Sequence, residues 1–253
     1  MNGILRVKNV TQVFESGSGP RRDRVTVLKD IDFEVREGEF VSIIGPSGCG
    51  KSTLLKIIAG LITPTEGSVE VPSAAAPGSL PIGFVFQESV LLPWKTALGN
   101  ALFPFEVMGK DTKAREPGVR DLFRLAGLSG FENYYPKQLS GGMRQRVSIV
   151  RSLSYDPALL LMDEPFGAID AITRDSLNDI LLDMWRETKK TILFVTHDIA
   201  EAVYLSDRVI VLGTKPGRII EIATVDLDRP RNEDTKLDPR FYGLVKKLRE
   251  RLK

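Results

Sequence analysis

The chain has 253 residues, 42% hydrophobic and 27% charged, and its 35 Lys+Arg against 33 Asp+Glu leave a formal net charge of +2. That length can bury a substantial core in one or two closely joined domains, and so balanced a charge argues against nucleic acid as the main partner. The single cysteine, Cys49, rules out an intramolecular disulfide and fits a reducing compartment. No apolar run reaches about 18 residues, so no membrane-spanning helix is predicted. The opening MNGILRVKNVTQVF lacks the basic-then-apolar pattern of a secretion signal.

In chain order, Ile4–Phe14 and Val25–Val35 are β-rich and alternate in the strand manner, joined by a polar loop at Gly17–Arg24. After a turn at Glu37–Glu39, EFVSIIG (Glu39–Gly45) is apolar and β-branched, which predicts a buried strand. The next residues, GPSGCGKST, fit G-x-x-x-x-G-K-[ST] with Gly45, Pro46, Ser47, Gly48, Cys49, Gly50, Lys51, Ser52 and Thr53. This spacing builds a phosphate cradle. Glycines let successive backbone N–H groups turn inward where a Cβ would intrude. Lys51 is placed to reach the β- and γ-phosphates, and the Ser52 hydroxyl to reach Mg²⁺. Apolar residues at Leu54, Leu55, Ile57, Ile58 and Leu61 predict a helix over Lys51–Leu61, whose N-terminus adds its dipole to the cradle.

Val69–Val71 and Ile82–Phe86 are predicted short strands on either side of a Pro/Ala/Gly loop, Pro72–Pro81. From Glu88 to about Ser154 the periodicity is helical, broken several times by Pro, Gly and Asn. LLLMD (Leu159–Asp163) and TILFVT (Thr191–Thr196) are continuous apolar runs, the mark of parallel strands covered on both faces. Between them AITRDSLNDILLDMWRET is amphipathic through Leu177, Ile180, Leu181, Met184 and Trp185, so the segment reads as strand, helix, strand. After strands at Val209–Leu212 and Arg218–Ala223, the tail places Phe241, Leu244, Val245 and Leu248 on one helical face. The predicted fold is α/β. Residues 1–87 and 155–253 form a nucleotide-binding core with an antiparallel β layer on its N-terminal side, and residues 88–154 a helical subdomain inserted into it.

LLLMDEP puts Asp163 and Glu164 at the carboxyl end of a buried strand, where ligands sit in open α/β sheets. Asp163 suits a Mg²⁺ shell, directly or through water, and Glu164 suits polarising an attacking water. Taken alone, two acidic residues at a strand end are also a common solvated feature. The phosphate cradle in the same chain favours the functional reading.

Shortly before that strand, LSGGMRQR (Leu139–Arg146) resembles the signature motif of ATP-binding cassette (ABC) ATPases. The other marks of that family stand in order. Gln87 follows a strand as the Q-loop glutamine does, FGAID (Phe166–Asp170) is similar to the D-loop, and His197 ends a strand as the switch histidine does. Phe14 sits where the family has an aromatic that stacks on adenine, although a β-rich N-terminus also uses Phe as core. The resemblance implies a P-loop NTPase (RecA-like) core of ABC type that binds ATP with Mg²⁺. It implies that two copies close head to tail around two ATP molecules. Ser140, Gly141 and Gly142, ahead of a predicted helix at Met143–Ser152, then form an anion site for the γ-phosphate across the dimer. Gln87 is implied to help hold Mg²⁺ and water and to sense a transport partner, His197 to contact the γ-phosphate, and Asp170 to communicate across the interface. Cys49 contributes its backbone N–H. Its nearness to Lys51 and a helix N-terminus predicts a reactive thiolate that a bulky reagent would attack.

The implied function is the ATP-hydrolysing subunit of a transporter whose pore is a separate transmembrane permease, with the chain peripheral on the cytoplasmic face of the inner membrane. In the family the region after the Q-loop meets a cytoplasmic helix of the permease. Here Leu91, Leu92, Pro93 and Trp94 either line that groove or fill the local core. Non-transport ABC ATPases acting on DNA or ribosomes carry coiled-coil arms, zinc-binding cysteines or a second cassette, none of which is evident. A P-loop kinase or GTPase leaves LSGGMRQR unexplained. LLPW after the Q-loop and RPR (Arg229–Arg231) before the last helix look like the nitrate/sulfonate/taurine importer group, which takes up small anions with an extracytoplasmic binding protein. The length after His197 is too short for the large C-terminal regulatory domain of sugar importers.

Overall fold

The computed structural model describes residues 3–16, 23–71 and 80–252, so most of the predicted loops at Gly17–Arg24 and Pro72–Pro81 lies outside the described residues. The chain divides into two compact units, one of Met1–Pro72 with Thr191–Lys253 and the other of Ser73–Lys190.

The first unit holds two sheets. Strands β1 (Gly3–Ser16) and β2 (Asp23–Arg36) pair antiparallel, and β4 (Glu66–Glu70) pairs with the other edge of β1. Their alternation is the cause: Leu5 and Val7 on β1 and Ile31, Phe33 and Val35 on β2 are buried, while the residues between them are polar. In the second sheet β3 (Phe40–Ile44) lies between two parallel neighbours, β7 (Thr191–Val195) and β8 (Arg208–Leu212), and β9 (Ile219–Thr224) returns antiparallel to β8. All five positions of β3 and of β7 are buried, as two-sided coverage requires. Helix α1 (Lys51–Ile58) follows β3 and stops short of the predicted Leu61. A short helix, α6 (Ile199–Leu205), was not legible in the sequence, because seven residues cannot display a helical period. The last helix, α7 (Pro239–Arg251), buries Phe241, Val245 and Leu248 of the predicted face and leaves Leu244 half-buried.

The second unit contains a parallel pair, β5 (Ile82–Val85) with β6 (Leu159–Asp163), and helices α2 (Ala97–Val107), α3 (Thr112–Leu125), α4 (Gly141–Leu153) and α5 (Ala171–Thr188). No helix among the described residues is long and apolar enough to cross a membrane.

The segment between β5 and α2 has no regular structure, yet two side chains fix it. Asn100, fully buried on α2, accepts the Leu92 N–H at 2.7 Å and donates to the carbonyls of Leu92, Lys95 and Thr96 at 3.0–3.1 Å. Arg151 on α4 donates to the carbonyls of Ser89 and Val90 at 3.2 and 2.8 Å. Val90 sits at φ 39°, a left-handed conformation that β-branched residues rarely adopt. Within this braced segment Trp94 is 70% exposed, so it is not part of the local core. Leu91 and Leu92 are half-buried and Pro93 is exposed. Replacing Asn100 by Ala strands several buried main-chain groups at once and should cost about 2 kcal/mol or more of stability. Urea denaturation would show this, and an unchanged midpoint would mean that the segment does not depend on Asn100.

Candidate active site

In the first unit the loop after β3 turns directly into α1. The Lys51 side chain is buried and its Nζ donates to the carbonyls of Gly45 and Pro46 at 2.8 and 3.3 Å, which holds the ammonium at the loop. Ser47, Gly48 and Ser52 are exposed on the open side. Gly50 stands at φ 99°, and a Cβ there would lie 2.6 Å from Leu28 Cδ2, so the motif's second glycine is required by both conformation and space. Cys49 corrects an expectation: it is 1% exposed, and its Sγ packs against Gly45 inside the loop. A bulky reagent cannot reach it without opening the cradle, so ready thiol reactivity is not expected.

The backing of the loop comes from a place no motif marked. Gly217, in the β8–β9 turn, donates its N–H to Val27 O at 2.9 Å, and its carbonyl accepts the Lys29 N–H at 2.9 Å. A Cβ on Gly217 would lie 2.1 Å from the Cys49 carbonyl oxygen. The sequence K-P-G-R signals a turn here, but not that the turn abuts the phosphate loop.

Strand β7 runs in parallel register with β3, Val195 opposite Ile43, and the Thr196 N–H donates to Ile43 O at 3.2 Å. His197, exposed, therefore emerges at the same sheet edge as the phosphate loop. Phe14 lies opposite Val25 on the β1–β2 pair and is 40% exposed, so the core alternative for it does not hold.

The second unit gathers the remaining candidates. Val85 of β5 pairs with Met162 of β6, so Gln87 and the Asp163–Glu164 pair leave the same end of two adjacent strands. Asp163 is buried and Gln87 is exposed. Glu164 sits at φ 43°, a left-handed conformation that costs energy in a non-glycine residue and clusters at functional positions. Ser140 caps α4, its Oγ accepting the Met143 N–H at 3.2 Å, which leaves Gly141 and Gly142 in the first turn, where N–H groups lack intrahelical partners. Asp170 caps α5 by accepting the Thr173 N–H at 3.0 Å, and this hydrogen bond holds its carboxyl below the ordinary range. A Cβ on Gly142 would stand 3.3 Å from Thr173 Cγ2, so the signature residues and the D-loop cap are neighbours.

The helix behind the signature and the turn after it are bonded along the β5 segment. Gln145 donates to Phe86 O at 3.1 Å, Ser152 to Phe84 O at 2.9 Å and Tyr155 to Ile82 O at 3.2 Å. Burial pushes the Tyr155 phenol up to about 12. Gln145 thus holds the residue immediately before Gln87. Its place inside LSGGMRQR was visible in the sequence, its partner was not.

A glycine-lined phosphate loop between a parallel strand and a helix, with acidic residues at the end of another parallel strand, defines a P-loop NTPase. The sequence matches the ABC transporter family over residues 28–167, and the chain belongs to that family as an ATP-binding cassette ATPase. An uncharacterized ABC transporter ATP-binding protein of Methanocaldococcus jannaschii is 50% identical over 229 residues, spanning 90% of this chain and 84% of that protein. The aliphatic sulfonates import ATP-binding protein of Bacillus subtilis is 50% identical over 225 residues, spanning 88% of this chain and 86% of that one. Among solved structures, a dimeric bacterial ABC transporter cassette is similar at a TM-score of 0.73 and 35% identity over 87% of this chain and 98% of its own. The same cassette in a post-hydrolysis state bound to ADP and phosphate matches to the same TM-score, 0.73.

The Gly217 contact is testable. Gly217→Ala would drive a methyl group into the Cys49 carbonyl, and because a displacement of about 1 Å can cost 10²-fold at a reacting centre, ATP affinity should fall about tenfold or more. Titration calorimetry would measure it, and wild-type affinity would remove Gly217 from the site.

Proposed function

We propose that the chain is the ATP-hydrolysing subunit of an importer, acting as a head-to-tail dimer bound to a separate permease at the cytoplasmic face of the membrane. The observation that carries the coupling is the braced segment after Gln87. It begins at the end of β5, next to the end of β6 that bears Asp163 and Glu164, and it displays Trp94 and Val90, 70% and 59% exposed. A rigid, apolar, exposed segment tied to a catalytic strand end is suited to transmit a partner's position. The permease is the partner argued for, with an extracytoplasmic binding protein delivering solute on the far side. The reading of the cargo as a small anion such as a sulfonate, nitrate or taurine rests on the similarity to the sulfonate import protein and on the LLPW and RPR segments.

In this reading the backbone N–H groups of Gly45–Thr53 and the Lys51 ammonium bind the ATP phosphates, and Phe14 stacks on the adenine. Ser52, Gln87 and Asp163 would hold Mg²⁺. No group of three or more His, Cys, Asp or Glu stands ready to hold a metal among the described residues. A few oxygen donors completed by phosphates is the pattern Mg²⁺ favours, and when bound it neutralises phosphate charge. Glu164 accepts the proton of the attacking water, and His197 contacts the γ-phosphate. Ser140, Gly141 and Gly142 present first-turn N–H groups to the nucleotide of the second copy, and Asp170 lies at that interface. Residues 1–87 and 155–253 serve as the nucleotide-binding core and 88–154 as the helical subdomain. In support, α2, α3 and α4 fall inside the latter range and every described strand falls outside it.

Glu164→Gln keeps the shape of the side chain but not its basicity. It should leave ATP binding intact and lower turnover about 10²-fold or more, trapping the ATP-bound dimer. Phosphate release and light scattering would show both, and near-normal turnover would remove Glu164 from the base role. Trp94→Ala should weaken association with the permease by about 2 kcal/mol or more, the scale of an aromatic hot spot. Because Trp94 is exposed, the melting temperature and the ATPase activity of the isolated subunit should stay near wild type. Undiminished recovery of the complex would place the docking surface elsewhere.

A further inference from the structure

The RPR run, so far only a mark of resemblance, has a physical task in the first unit. Helix α6 is seven residues long, too short to be stable on its own, and its last carbonyls have no intrahelical partners. Arg231, 8% exposed, supplies them: Nη1 donates to the carbonyls of Val203 at 3.1 Å, Tyr204 at 2.9 Å and Ser206 at 2.7 Å. Arg229 donates to Leu205 O at 2.8 Å and pairs with Asp207, which in turn accepts the Phe40 N–H of β3 at 2.9 Å. Two cations at a helix C-terminus also complement its dipole. Burial lowers the Arg231 guanidinium to about 10, which still leaves it charged at neutral pH.

The other end of α6 adjoins His197. Asp198 caps the helix by accepting the N–H groups of Ala200 and Glu201 at 2.9 and 3.2 Å. Thr196, buried, donates its hydroxyl to the buried Glu201 carboxylate at 2.5 Å and accepts the Asp198 N–H at 3.0 Å. The residues on both sides of His197 are therefore bonded to the first turn of α6 or to each other, and the last turn of α6 is bonded to the two arginines.

We propose that Arg231, supported by Arg229, is a positioning residue for His197: it seats the C-terminal end of α6, and α6 sets where the imidazole stands at the phosphate-loop edge. The inference rests on the reading of His197 as a contact to the γ-phosphate. It assigns the RPR segment a part in hydrolysis at a distance from the nucleotide.

His197 is the only histidine in the chain, so its imidazole gives a single side-chain NMR signature in the full-length protein. In Arg231→Ala that signature should shift or split, and its response to Mg-ATP should shrink. Turnover should fall about tenfold or more while ATP affinity stays within about twofold, the pattern of a misplaced group outside the binding loop. Arg231→Lys keeps a cation with three donors on a shorter reach and should restore part of the turnover and move the signature back toward its wild-type position. If the Ala variant does not fold, Arg231→Met, which keeps much of the side-chain volume but has no donor, carries the same comparison. A His197 signature at its wild-type position in the folded fraction of the Ala or Met variant, with turnover lost only in proportion to unfolded protein, overturns the proposal. His197→Ala separates the two readings. Full turnover there sinks the role of His197 itself, while the signature in the Arg231 variants still decides whether Arg231 positions it.

Discussion

Strand β3 is buried at all five positions and hydrogen-bonded in parallel along both edges, to β7 and to β8. Parallel neighbours start at the same side of a sheet and end at the same side, so the loops leaving their carboxyl ends are gathered at one edge. For β3 that loop is the phosphate cradle, for β7 it carries His197, and for β8 it is the turn bearing Gly217. The cradle needs this rigidity. Its N–H groups bind anions only if their directions are fixed before the ligand arrives, and the close approach of Gly217 to the Cys49 carbonyl, with Leu28 beneath Gly50, leaves the backbone little room to relax.

Away from the sheet, the chain uses one device repeatedly. A buried or half-buried polar side chain reaches across to carbonyl groups of a segment without regular partners. Asn100 and Arg151 fix the stretch after Gln87, Gln145 fixes the residue before it, and Arg229 and Arg231 fix the end of α6. Each such bond is modest in net energy, but losing one strands buried acceptors, so the segments are held more firmly than their lack of secondary structure suggests. They are also the segments that adjoin the candidate catalytic residues. Order at those places is thus supplied by tertiary contacts.

The five-residue runs of β6 and β7, the amphipathic period of α5 and the spacing GPSGCGKST are local patterns, and each was legible because the physics that creates it acts over a few neighbouring residues. The same holds for the acidic pair at the end of β6 and for the first-turn glycines of α4. Cys49 shows the limit. Its neighbours in sequence suggest a reactive thiolate, but reactivity depends on exposure, and exposure is set by Gly45 packed against its sulfur. Trp94 and Phe14 show it from the other side, since a short window leaves both the core and the surface reading open for each.

By itself, the sequence determined the class of fold, the family, the phosphate loop and the order of the candidate motifs, because period, composition and motif spacing are properties of contiguous residues. Only the tertiary structure decided that Trp94 and Phe14 are exposed and Cys49 is not. It also revealed that Gly217 backs the phosphate loop and that Arg231 closes a helix starting beside His197. The last two depend on contacts between residues far apart in the chain, such as Arg231 with Ser206, 25 positions apart, and Gly217 with Cys49, 168 positions apart. No local pattern encodes which distant backbone a glycine must make room for or which carbonyl a buried guanidinium must satisfy.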